Sequence, residues 1–137
     1  MDWTLEVAVV PVSDIDRAKA FYTKQLGFTV DFDTRADDQP GFVQLTPPGS
    51  GCSIILGDGL TDMAPGSLRC LWLVVADLRA ARETLVERQV DVSEFQIFDA
   101  AAFRTRRDGE DLDLVGFVFF TDPDGNRWGV QQISARA

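Results

Sequence analysis

Residues 12–28 read VSDIDRAKAFYTKQLGF, and how these residues fold decides the architecture. Pro11 ends an apolar run, and Ser13 and Asp14 offer side-chain oxygens to the partnerless N–H groups of a helix's first turn. Asp16 adds negative charge where the helix dipole favours it. Ile15, Ala18 and Tyr22 fall at i, i+3 and i+7, which gives one apolar face, and Gly27 supplies a left-handed stop. The spacing predicts a strand, a helix over about 14–26, a glycine stop and a second strand.

The same pattern returns 63 residues later. Val12-Ser13-Asp14-Ile15 lands on Val75-Ala76-Asp77-Leu78, and the stripe repeats as Leu78, Ala81 and Leu85. An apolar run precedes both copies and a strand-rich stretch follows both. A unit repeated at one fixed offset points to duplication, each copy covering a sheet face that the other would leave bare.

Composition narrows the function. With 137 residues the chain is large enough for a core without disulfide or metal staples. A net charge of −9 argues against nucleic-acid and anionic-membrane partners. The chain has no apolar run of membrane-spanning length and no signal-peptide pattern, so the expected location is the cytoplasm. Cys52 and Cys70 fit no zinc-finger spacing and are expected as reduced thiols. Histidine is absent, which removes every Ser/His/Asp and Cys/His arrangement.

Taken in order, residues 3–12 read as a strand buried on nearly both faces, with Glu6 its one charge. Residues 28–34 alternate, 42–46 form a short strand, and the glycines of 47–51 make a hairpin loop before an apolar strand over 52–56. Asp31 and Asp33 share one strand face, where solvated charges explain them better than a carboxylate pair doing chemistry. Residues 57–67 form a Gly- and Asp-rich connector. The second copy has a strand over 68–75, a helix over 78–88 ending at Gln89 where a glycine is expected, and a strand over 90–98. The charged stretch 100–113 reads as a solvated loop, the edge of a pocket. Strands over 115–121 and 127–133 flank the turn Asp122-Pro123-Asp124-Gly125-Asn126.

Two stretches, VSDIDRAKAFYTKQLGF and FFTDPDGNRWGV, in this order and with the repeat between them, resemble the vicinal oxygen chelate superfamily of glyoxalases, bleomycin-resistance proteins and extradiol dioxygenases. The resemblance covers essentially the whole chain. It implies a single α+β domain over 1–137, with two βαβββ modules (about 3–57 and 68–134, joined by a connector over about 58–67) forming curled antiparallel sheets around a cup-shaped cavity. It also implies a divalent metal held by one residue from the first and last strand of each module. Carried onto this chain, those positions are Val7 and Cys70, seven residues before Asp14 and Asp77. The others are Gly129, four after Gly125, and Ile55 by the looser count from Gly51. Three of the four have no side-chain donor and one thiol is a poor site, so the expectation is no metal and no cofactor.

Strand alternation says which residues share the cavity face. Phe119 is expected opposite Gly129 and Phe117 opposite Gln131, with Trp72 matching the parity of Cys70 and Val9 that of Val7. These residues predict an apolar, aromatic pocket with one amide at hand. The resulting expectation is a metal-free protein that binds an aromatic or cationic small molecule, such as a drug or natural product, and forms a homodimer. A glyoxalase-like lyase or dioxygenase-type enzyme with an atypical site, and a structural or regulatory module with a filled cavity, are the rivals.

Overall fold

Asp14 and Asp77 start the two helices in the same way. Asp14 has φ −137° and ψ 104° and its carboxylate accepts from the Arg17 amide; Asp77 has φ −131° and ψ 101° and accepts from the Ala80 amide. An extended residue with a short acceptor satisfies donors that the helix itself leaves without partners. The computed structural model describes residues 1–35 and 40–136, and the duplication seen in the sequence is built into it. The order is β1 (Val7–Val9), α1 (Ile15–Ala20), β2 (Thr29–Asp33), β3 (Phe42–Thr46) and β4 (Ser53–Gly57). The second copy follows as β5 (Leu71–Val75), α2 (Leu78–Glu87), β6 (Gln96–Asp99), β7 (Ala102–Thr105), β8 (Gly116–Thr121) and β9 (Arg127–Gln132).

The strands form two curled sheets, ordered β1-β4-β3-β2 and β5-β9-β8-β6-β7. Removing β7 leaves the same permutation in both. The sheets are mixed rather than purely antiparallel, because the first strand of each copy runs parallel to the last: Val7 pairs with Ser53, and Trp72 with Gly129. The helical crossover after the first strand makes that parallel pairing available. By contact, residues 1–68 together with the Asp122–Asn126 turn form one compact unit, and residues 69–121 and 127–137 form the other.

In the first unit the helix predicted over 14–26 changes character part-way. α1 opens into one wide turn at Phe21–Gln25, where the Leu26 amide reaches the Phe21 carbonyl at 3.2 Å. The Thr23 hydroxyl donates to the Lys19 carbonyl at 2.8 Å, taking up an acceptor of the helical ladder, a competition that bends helices. Gly27 closes the element at φ 77°. β1 is much shorter than the strand expected over 3–12, and Trp3 is 87% exposed. The reason lies in its neighbour: the ladder begins where the Ser53 amide meets the Glu6 carbonyl, and among the described residues nothing before Glu6 has a partner strand.

The Asp122–Asn126 turn is the polar centre of this unit. One Asp122 carboxylate oxygen accepts from the Tyr22 hydroxyl at 2.7 Å and the Asn126 side-chain amide at 2.8 Å. The other accepts from the Asp124 and Asn126 backbone amides at 3.0 and 2.9 Å. Asn126 also donates to the Pro11 carbonyl and accepts from the Leu68 amide. Tyr22, Asp122 and Asn126 are all buried, a placement tolerable only because every polar atom is matched. Gly66, at φ 78°, lies against the same turn: a Cβ there would meet the Asp124 carbonyl at 2.0 Å.

In the second unit α2 ends at Gln89, which takes φ 64° without being glycine. The strand expected over 90–98 is confined to Gln96–Asp99, because Val90 is still bonded to the Leu85 carbonyl at the helix end. The expected loop over 100–113 contains β7, which pairs with β6 through Asp99 opposite Ala102. The two-residue hairpin loop between them is Ala100-Ala101, with Ala100 at φ 59°. Such loops are ordinarily marked by Gly or Asn, so the sequence lacks the signal that announces a hairpin. The remaining loop is tied down by charge: Arg104 makes a two-pronged pair with Glu110 at 2.7 and 2.6 Å and reaches Asp99 at 3.0 Å. Those bonds from Arg104, with the Arg107 amide, pull the Glu110 carboxyl down to about 2.

Two substitutions test these features. Tyr22→Phe leaves a buried carboxylate one donor short and is expected to lower stability by about 1–3 kcal/mol in denaturant unfolding. Ala100→Gly removes the strain of a left-handed alanine and is expected to raise stability by about 0.5–1 kcal/mol, read as a melting temperature higher by roughly 2–4 °C.

Candidate functional site

The register of β8 and β9 decides what the second sheet presents. Phe119 stands opposite Gly129 and Phe117 opposite Gln131, as the turn length predicts, and β5 adds Trp72 opposite Gly129. The other face holds Val118, Phe120, Trp128 and Val130, all buried on the side where α2 packs. One face of this sheet is therefore core, and the opposite face is aromatic.

The aromatic face is a connected set of rings. Trp72 meets Phe117 edge-on at 4.9 Å between centroids, and Phe117 stacks on Phe119 at 5.9 Å. Phe103, from β7, touches both Phe117 and Phe119, at 5.0 and 4.9 Å, and leans on Phe98 at 5.0 Å. Phe117 is buried beneath its neighbours, whereas Trp72 is 54% exposed, Phe98 39% and Phe103 37%. The Arg127 guanidinium lies over the Phe119 ring, 4.2 Å from its centroid. The amide of Gln131 donates to the Leu114 carbonyl at 2.7 Å, which fixes its orientation at the edge of the face.

Phe98, Phe103 and Arg127 were not among the residues expected here. The two phenylalanines are invisible as a pair without the Ala100-Ala101 hairpin that brings them opposite one another. Arg127 has the parity of Gly129 and Gln131, so strand alternation alone could have found it.

Val7, Val9 and Ile55 lie in the other unit, where the structure brings them onto one face of the first sheet. Val9 pairs directly with Ile55, and Gln44 of β3 pairs with Ile55 from the other side. Asp31 and Asp33 do not converge. The Thr46 hydroxyl donates to Asp31, while Arg35 and Lys19 bind Asp33 and hold its carboxyl well below the usual carboxylate range. A register shift between Val30 and Phe32 separates the pairings on either side of Asp31.

The four positions at which the sequence resemblance implies metal ligands do not suit a metal. Val7, Ile55 and Gly129 bring no donor atom. A Cβ on Gly129 would sit 3.1 Å from Phe119, 3.3 Å from Trp72 and 3.4 Å from the Cys70 sulfur, so the rings close over the bare backbone where a ligating side chain would stand. Burial pushes the Cys70 thiol up, away from the thiolate a metal requires. Among the described residues no three His, Cys, Asp or Glu side chains are grouped to hold a metal ion. A separate polar cleft of about 540 Å³ opens between the start of α2 and residues 106–112. Two of its charged walls are engaged with groups outside it, Asp77 as the cap of the Ala80 amide and Glu110 with Arg104.

Residues 4–130 match the model of the Glyoxalase/Bleomycin resistance protein/Dioxygenase superfamily. The chain belongs to that superfamily. Among its members, the antibiotic binding protein TnmS3 from Streptomyces sp. CB03234 is 34% identical, with 97% of this chain and 98% of that one covered and a TM-score of 0.70. A glyoxalase/bleomycin resistance protein from the same organism is 33% identical over 94% and 100%, with a TM-score of 0.67. A superfamily member from Sphaerobacter thermophilus DSM 20745 is 27% identical over 96% and 98%, with a TM-score of 0.73. No functionally curated protein matches the chain. Among the described residues no helix is long and apolar enough to cross a membrane.

Elemental analysis of protein prepared without chelators is expected to find no Ni, Zn, Fe or Mn approaching one equivalent per chain. A tight stoichiometric metal would mean that other side chains supply the donors.

Proposed function

We propose that this superfamily member binds and sequesters a planar aromatic small molecule, a drug or natural product, on the aromatic face of its second sheet and without a metal. The observation that carries the reading is Trp72, a large aromatic held by Phe117 and Gly129 and still half exposed. Apolar rings left facing outward in a contiguous group mark binding surfaces more often than idle ones. The relationship to an antibiotic binding protein supports the same reading. Stacking against Trp72 and Phe103 would contribute about 0.5–1.5 kcal/mol per ring pair beyond the area buried.

The reading extends to a cytoplasmic homodimer. Both cysteines are free thiols, and the first sheet ends in the edge strand β2 with Phe32 exposed, a surface that a second copy would cover. A net charge of −9 would draw cationic compounds toward the protein at long range, within the reach that salt permits. The lyase or dioxygenase alternative lacks a donor set at the inherited positions, and a filled structural module would not leave Trp72 so open.

Titration with a panel of planar polycyclic compounds is expected to quench tryptophan emission and raise the melting temperature. Trp72→Phe should abolish most of the quenching, whereas the signals of exposed Trp3 and buried Trp128 persist. If the whole panel leaves wild-type emission and melting unchanged, the face binds no such ligand.

A further inference from the structure

Arg127 points to the chemical class of the ligand. Its guanidinium lies on the Phe119 ring at 4.2 Å, and among the described residues it has no carboxylate within ion-pair distance. Four other arginines are ion-paired, Arg17 with Asp124, Arg35 with Asp33, Arg82 with Glu94 and Arg104 with Glu110, whereas Arg127 is the one that lies on the aromatic face beside Trp72 among the described residues. A guanidinium held over a ring face keeps its five N–H donors, and such a fork matches the two oxygens of a carboxylate or the single oxygen of a phenolate. It is also exposed, so a ligand can reach it.

Position adds to this. Trp72 pairs with Gly129, and Arg127 lies two residues before Gly129 on the same face of β9. Two residues of strand span roughly 7 Å, about the length of two or three fused rings. A ring system resting on Trp72 would therefore carry its far edge to Arg127. Next to that guanidinium a cationic group would be repelled, so the local field opposes the long-range bias of the net charge.

We infer that Arg127 is a specificity-determining residue that selects planar aromatic ligands bearing an anionic oxygen group, a carboxylate or phenolate, at one end. This rests on the binding reading above. The test is calorimetric titration of anthracene-2-carboxylate and its neutral analogue anthracene-2-carboxamide against wild type, Arg127→Met and Arg127→Lys. Wild type is expected to prefer the carboxylate by about tenfold or more, the usual range for a hydrogen-bonded charge pair. Arg127→Met should erase that preference while binding the carboxamide within about threefold of wild type, and Arg127→Lys should retain part of it. Equal affinities in wild type, or a preference that survives in Arg127→Met, would overturn the inference and leave the binding reading standing. If neither compound binds wild type, the binding reading fails and this inference with it.

Discussion

The buried carboxylate of Asp122 is the interaction on which the rest of the structure leans. Four donors converge on its two oxygens: the Tyr22 hydroxyl, the Asn126 side chain, and the amides of Asp124 and Asn126. A charge out of water is costly unless its acceptor sites are filled, so the turn has little freedom to take another shape. Asn126 extends the same network to the Pro11 carbonyl and the Leu68 amide, while Asp124 binds Ser13 and Arg17 beside the start of α1. Every residue in this network has a polar partner that no apolar substitute could supply.

The consequence for the site runs through register. The turn joins β8 to β9, and a slip of one residue would turn each side chain of β9 to the opposite face. With the turn held, Phe117 and Phe119 stand across from Gln131 and Gly129, and the Phe120–Trp128 stack, 6.3 Å between centroids, is kept on the core side. Gly129 then matters for what it lacks. Without a side chain it lets Trp72 and Phe119 approach its backbone, which becomes the floor of an aromatic surface. Ring faces offer dispersion and stacking where donor atoms would offer coordination, which is the physical basis of the binding function proposed above.

The two copies have diverged by an addition to one shared plan. Both keep the Asp cap, the parallel pairing of first and last strand, and the same strand permutation. The second gains β7, whose Phe103 bridges Phe117 and Phe119, and a loop organised around Arg104 and Glu110. The added hairpin thus contributes ring surface to the face that also carries Trp72.

Much of this was legible in the residues alone. The 63-residue offset, the paired Asp caps and the DPDGN turn are local signals, each set by a few neighbouring residues, and they led to the duplicated α+β architecture and to the register of the last two strands. The absence of histidine and the residues Val7, Ile55, Cys70 and Gly129 were likewise enough to question a metal. Signals that depend on distant partners were not legible. β1 is short because the ladder with β4 begins only at Glu6, and β7 forms because the Ala100-Ala101 loop accepts a left-handed alanine at position 100. Only the tertiary structure could decide that Phe103 completes the aromatic face, since that contact depends on the β6–β7 hairpin that no local pattern encodes; the face of Arg127 followed from strand parity, but its rest on the Phe119 ring is a choice of side-chain conformation that only the folded packing makes.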